Sequence, residues 1–121
     1  MTDVQGCVVA VVGSLNLDLT ATVARAPDEG ETVLGRRLDT YPGGKGANQA
    51  VAVARLSAKR GACTFIAKVG DDLFGRDAAA RMKKDGITAH LIIDKKEPSG
   101  TALILVDAKG QNVISVALGA N

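Results

Sequence analysis

The stretch Gly43-Gly44-Lys45-Gly46-Ala47-Asn48 is the densest concentration of chemically useful residues in the chain. Its three glycines allow positive φ and close backbone approach, and a helix starting here presents unpaired N–H donors and the positive end of its dipole. Such a place favours an oxygen-rich ligand. Two familiar phosphate-binding patterns fail on it. A P-loop needs glycine five residues before Gly44 and Ser or Thr after Lys45, where the chain has Asp39 and Gly46. A dinucleotide fingerprint built on Gly44 and Gly46 needs a third glycine at the position held by Gln49, and this stretch follows a Tyr41-Pro42 turn, not the first strand. What is left is a glycine-rich helix start with one lysine and one asparagine, to be paired with Asn16 and Asp18 further up the chain. Carboxylate and carboxamide groups hydrogen-bond vicinal hydroxyls, and a lysine adds a charge-assisted donor, so the set suits a sugar. Each piece alone has a plainer reading: Asn16 and Asp18 can cap a turn, and Gly43-Gly44 can be a tight bend. Asp18 can also be considered as a general base.

The elements that must position these residues follow from hydrophobic patterning. Cys7 to Val12 is continuous, apolar and β-branched, which predicts a first strand covered on both faces. After Gly13-Ser14 the pattern alternates: Leu15, Leu17 and Leu19 point one way, Asn16, Asp18 and Thr20 the other. That puts the polar groups past the carboxyl end of the strand, where ligands gather in open α/β sheets. Residues 21–42 read as two short β-like pieces around the turn Ala26-Pro27-Asp28-Glu29-Gly30. A helix over 45–57 follows, with Ala47, Ala50, Val51 and Ala54 on its inner face. Residues 62–69 are a second core strand, and Gly70-Asp71-Asp72 opens a helix whose buried stripe is Leu73, Phe74, Ala78 and Met82. Gly86 stops that helix and 87–94 is a third strand, which gives β-α-β-α-β order and a parallel sheet. Thr101–Val106 and Asn112–Leu118 flank Asp107-Ala-Lys-Gly-Gln111 as a hairpin with apolar residues on both faces, so both faces call for cover.

Composition narrows the function classes. The 121 residues carry 15 basic and 13 acidic side chains for a net +2, with only three aromatics, Tyr41, Phe65 and Phe74. There is neither a basic footprint nor a stacking platform for nucleic acid. Nineteen alanines imply a core of small side chains brought close together. The longest apolar run, Cys7–Val12, is far short of the roughly 20 residues of a membrane span, and the start lacks the basic region of a secretory signal. Cys7 and Cys63 lie in strand-like runs without metal-site or redox spacing and read as buried thiols of a reducing, cytoplasmic compartment. His90 stands alone, and Asp71-Asp72 is explained by the helix dipole, so no metal is assigned. One domain fits the length, but the chain ends on Gly119-Ala120-Asn121 directly after a strand, as if a larger domain had been cut.

Five blocks, Gly13-Ser-Leu-Asn16-Leu-Asp18, Pro27-Asp-Glu-Gly-Glu-Thr-Val33, Pro42-Gly-Gly-Lys-Gly-Ala-Asn-Gln-Ala50, Lys68-Val-Gly-Asp-Asp-Leu-Phe-Gly75 and Gly110-Gln-Asn-Val-Ile114, stand in family order. Over about residues 7–121 the chain resembles the N-terminal part of the ribokinase-like carbohydrate kinase family. The third block is similar to the family's first signature, and its lysine-containing form is closer to the ribose-directed members than to the fructose or adenosine kinases. The resemblance implies an α/β sandwich, a parallel sheet flanked by helices, with a small β-lid. Residues 1–121 would be the N-terminal part of a single domain, with lid segments at about 20–42 and 101–118, truncated after the lid hairpin.

By the same resemblance the activity is ATP-dependent phosphorylation of D-ribose at the 5-hydroxyl. Asn16, Asp18, Gly43, Gly44, Lys45 and Asn48 would hold the sugar, and Ala102, Ile104 and Ile114 would be the apolar lid contacts. The lid would also pair with that of a second subunit in a homodimer. The family's later Asn-x-x-Glu and Asp-Thr-x-Gly-Ala-Gly-Asp motifs do not occur before residue 121. The resemblance therefore places no catalytic residue in this chain, and it puts the sites for ATP, Mg2+ and a monovalent cation such as K+ beyond it. The connection Ser57-Ala-Lys-Arg-Gly61 is longer than the family's usual one. Two alternatives stand beside this reading. One is a non-catalytic truncated paralogue that binds sugar or dimerises through the lid; the other is a related kinase for another sugar or a nucleoside.

Overall fold

The computed structural model describes residues 8–57 and 61–121. Nine elements follow in chain order: β1 (Val9–Val12), β2 (Asn16–Thr22), β3 (Arg37–Gly43), α1 (Lys45–Leu56), β4 (Cys63–Gly70), α2 (Leu73–Lys84), β5 (Thr88–Asp94), β6 (Gly100–Val106) and β7 (Asn112–Ala117). They form two sheets. The first is parallel, in the order β1-β4-β5, and the second has the order β3-β2-β6-β7. In the second sheet β2 and β6 run parallel while the outer pairs are antiparallel.

The central strand β4 explains the core. Its alternation turns Cys63, Phe65, Ala67 and Val69 to one face, and Cys63, Phe65 and Val69 are fully buried there. The crossovers β1-α1-β4 and β4-α2-β5 step the same way along the sheet, so right-handed connections place both helices on that one face. α1 supplies Ala47 and Ala50, and α2 supplies Met82. The small alanines let α1 lie close to the sheet. At its start Gly46 meets Gly13 so closely that a Cβ on Gly46 would sit 2.7 Å from the Gly13 backbone.

Two expectations are corrected. β1 is not covered on both faces: Val11 points into the core, but Val12 is 74% exposed and Ile92 of β5, on the same open side, 57%. The reason is topological, since no described element lies on that side of the first sheet. Nor do Leu73 and Phe74 belong to the buried stripe of α2, whose inner residues are Ala78 and Met82. Leu73, the first helical residue, is 75% exposed, and Phe74 turns away from the first sheet to line a cleft with Leu17 and Pro42 of the second. Cys63 is a free, buried thiol, as its setting predicts, and burial raises its pKa. Cys7 and residues 58–60 of the long connection lie outside the described residues.

The second sheet begins earlier than the patterning suggests, because the alternating stretch after Ser14 is already strand β2. Its arm β6 is tied to the first sheet by one polar knot. Ser99, only 4% exposed, accepts from Gly70 N through Oγ at 3.0 Å. It donates to the Asp72 carboxylate from its N–H at 2.8 Å and from its hydroxyl at 2.7 Å. Asp72 also caps α2 by accepting from Gly75 N at 2.8 Å. Burial pushes its carboxyl pKa up, but the hydrogen bonds from Ser99, Gly75 and Phe74 outweigh this and leave it below the ordinary value.

Candidate functional site

Strand register brings the polar residues together. Residues directly opposite one another in a sheet share a face. Asn16 pairs with Gly43 on β3 and Gly100 on β6, while Asp18 pairs with Tyr41 and Ala102. Ile104 lies two residues further along β6 and is paired with Ile114 on β7. One face of the second sheet therefore carries Asn16, Asp18, Gly43, Ala102, Ile104 and Ile114. Ala102 is 4% exposed and Ile114 is 51% exposed.

β3 runs directly into α1. Gly43 ends the strand and Gly44, at φ 94°, makes the turn into the helix. A side chain at Gly44 would be strained in that conformation and would also strike Ser14 O at 2.6 Å. At Gly43 a Cβ would overlap the Asp18 carboxyl group, so this glycine is what lets the carboxylate lie flat across β3. The helix start has no side-chain cap. Ala47 N donates to Ser14 O at 3.0 Å and Asn48 N to Gly44 O at 3.0 Å, leaving the N–H groups of Lys45 and Gly46 without a partner among the described residues. Lys45 and Asn48 are exposed in this first turn.

The six candidates do not line one cavity. Asn16 and Gly43 reach the cleft between the second sheet and α2, while Asn48 borders a groove that runs toward Arg81 and Asp85. Partial burial raises the Asp18 pKa above its usual value of 3.8. A carboxylate withdrawn from water and poised beside a carboxamide and a lysine-bearing helix start can accept hydroxyl protons, while the amide and the ammonium group donate to hydroxyl oxygens. Among the described residues no group of three or more His, Cys, Asp or Glu could hold a metal ion, and no helix is long and apolar enough to cross a membrane.

One residue escaped the sequence reasoning. Asn121 folds back against the start of β2, where its Nδ2 lies 2.7 Å from Asn16 Oδ1 and its Oδ1 accepts from Leu15 N at 2.9 Å. The turn that returns it uses Gly119 at φ 55°. A Gly-x-Asn ending after a strand is the signal of such a turn, but nothing in the spacing names a partner 105 residues away.

The profile of the pfkB family carbohydrate kinases matches residues 8–121. A ribokinase of Bacillus subtilis is 45% identical over 118 residues, which cover 93% of this chain but 38% of that protein. Among solved structures, ribokinase from Giardia lamblia superposes with a TM-score of 0.89 at 32% identity, over 94% of this chain and 34% of that one. Arabidopsis thaliana ribokinase, solved with ribose and ATP, superposes with a TM-score of 0.77 at 35% identity, over 97% of this chain and 38% of that one. The chain thus spans little more than a third of the length of the relatives it matches.

Proposed function

The chain belongs to the pfkB family of carbohydrate kinases, and on that premise we propose that its 121 residues are the sugar-binding part of an ATP-dependent ribokinase. The enzyme would phosphorylate D-ribose at the 5-hydroxyl. The observation that carries this reading is the register of β2 with β3 and β6, which sets Asn16, Asp18 and Gly43 on one face with Ala102 and Ile104. That face adjoins the helix start bearing Lys45 and Asn48. In this arrangement Asp18 accepts from sugar hydroxyls, Asn16, Lys45 and Asn48 donate to them, and Ala102, Ile104 and Ile114 cover the apolar side of the ring.

Phosphoryl transfer depends on aligning donor and acceptor and on stabilising charge at the transferring group. These residues supply the acceptor side. No metal-dependent step is assigned to them. ATP use is supported by the Arabidopsis relative, solved with ribose and ATP.

The second sheet also leaves apolar side chains in water on both faces, among them Leu103 at 55%, Val113 at 56% and Ile114 at 51% exposure. A second copy of the chain, pairing lid to lid, is the partner proposed for them.

Calorimetric titration of the chain with ribose, fructose and adenosine tests the sugar. Ribose is expected to bind most tightly, and a preference for either of the others overturns the assignment. Ribose-dependent ADP formation by the 121-residue chain alone would refute the division of labour.

A further inference from the structure

Asn121 uses both ends of its carboxamide. Oδ1 accepts from Leu15 N at 2.9 Å, while Nδ2 lies 2.7 Å from Asn16 Oδ1, 3.1 Å from Leu118 O and 3.3 Å from Leu15 O. The backbone N–H of Leu15 can only donate, so the atom facing it must be the oxygen, and the NH2 end is thereby turned onto Asn16. An NH2 group can only donate in its turn, so the Asn16 atom facing it must be Oδ1. The Asn16 NH2 is left pointing away from Asn121, and it has no acceptor among the described residues. Two residues along the same strand face lies the Asp18 carboxylate, which when ionised only accepts.

Space for this pair is made by Gly100. A Cβ there would overlap the Asn121 Nδ2 and come within 2.6 Å of Asn16 Oδ1.

We infer that Asn121 is a positioning residue that sets the polarity of the sugar site. Through Asn16 it makes the first polar group on β2 a donor, next to an acceptor at Asp18, a pattern complementary to neighbouring hydroxyls that each accept one hydrogen bond and give another. This rests on the sugar-binding reading above.

Asn121→Asp provides the test. Its carboxylate still accepts from Leu15 N but sets an acceptor against Asn16 Oδ1, so the Asn16 amide turns over and presents its oxygen to the ligand. Ribose affinity, measured by calorimetry on the full chain, is expected to fall roughly tenfold, the size of one lost hydrogen bond. In an Asn16→Ala background the same substitution should change affinity less than about twofold, because there is no amide left to orient. An equal loss in both backgrounds marks a merely structural role and overturns the inference, as does no loss at all. Asn16→Asp keeps the Asn121 contact but removes the donor, and serves if Asn121→Asp does not fold. It should weaken ribose binding as much as Asn16→Ala does, and unchanged affinity overturns the donor role.

The side-chain amide resonances of Asn16 in unliganded protein give a reading independent of any sugar. They should shift on Asn121→Asp, as the amide becomes a donor to the new carboxylate. If the native chain binds no ribose, the functional proposal falls, while shifted Asn16 resonances still uphold the positioning and unshifted ones overturn it.

Discussion

In the proposed sugar site Asp18 is the central acceptor, and its environment makes a pH prediction. Burial raises its pKa above 3.8, so the carboxylate protonates at a higher pH than an exposed aspartate and loses its capacity to accept from two hydroxyls. Ribose affinity should therefore decline on acidification with a midpoint above that value, and Asp18→Asn should flatten the profile while lowering affinity at pH 7 by roughly tenfold or more. Titrations between pH 7 and pH 4, with folding followed by circular dichroism, check both. Gly43→Ala makes a sharper steric test, because the added methyl overlaps the Asp18 carboxyl. It should abolish ribose binding while leaving the first sheet folded, and retained affinity would mean that Asp18 is not held against β3. Asn16, Asp18 and Lys45 were legible as residue types at telling positions. Asn121 was not, because the partner of a side-chain amide is a fact of three dimensions.

Among the elements, the junction between the sheets is the place where one substitution reaches furthest. Asp72 caps α2 and binds Ser99 twice, so Asp72→Ala removes a helix cap and leaves the buried Ser99 N–H unpaired. A loss of about 2 to 3 kcal/mol is expected, read as a lowered midpoint in thermal or urea unfolding. Ion pairs elsewhere contribute to acid sensitivity. Hydrogen bonding to the Lys68 ammonium group, at 2.5 Å, and to the backbone of Lys96 and Glu97 holds Asp94 at about 2, and Arg25 does the same for Glu31. Both pKa values are depressed on folding, from 3.8 and 4.5, so their contribution is present above those values and lost as pH falls toward about 2. Asp18, raised on folding, works in the opposite direction. Stability should therefore decline between about pH 4.5 and 2, and Asp94→Asn should shallow that decline. Helix α1 and strands β4 and β5 were readable from their periodicity to within a residue or two. The burial of Phe74 was misread because a second sheet lies beside the first turn of α2, which periodicity along one helix does not reveal, and Leu73, the first helical residue, stands exposed.

At the scale of the whole molecule, no element among the described residues covers one side of the first sheet. Val12 and Ile92 stand exposed there beside Ile66, and the second sheet adds its own apolar faces. The chain should associate as concentration rises, and Val12→Lys with Ile92→Lys should weaken that association. Sedimentation of a compact monomer at every concentration would contradict both expectations. The sequence by itself determined helix α1, strands β4 and β5 and the parallel order of the first sheet, and it named Asn16, Asp18 and the glycine-rich stretch as candidates. Those are consequences of local periodicity, chain order and residue chemistry. Only the tertiary structure decided that the second sheet begins at Asn16 and that both helices cover the same face. It alone brought Gly43, Gly100 and Asn121 around two polar residues of one strand. Register and long-range side-chain pairing arise from packing between distant segments, and no local pattern encodes them.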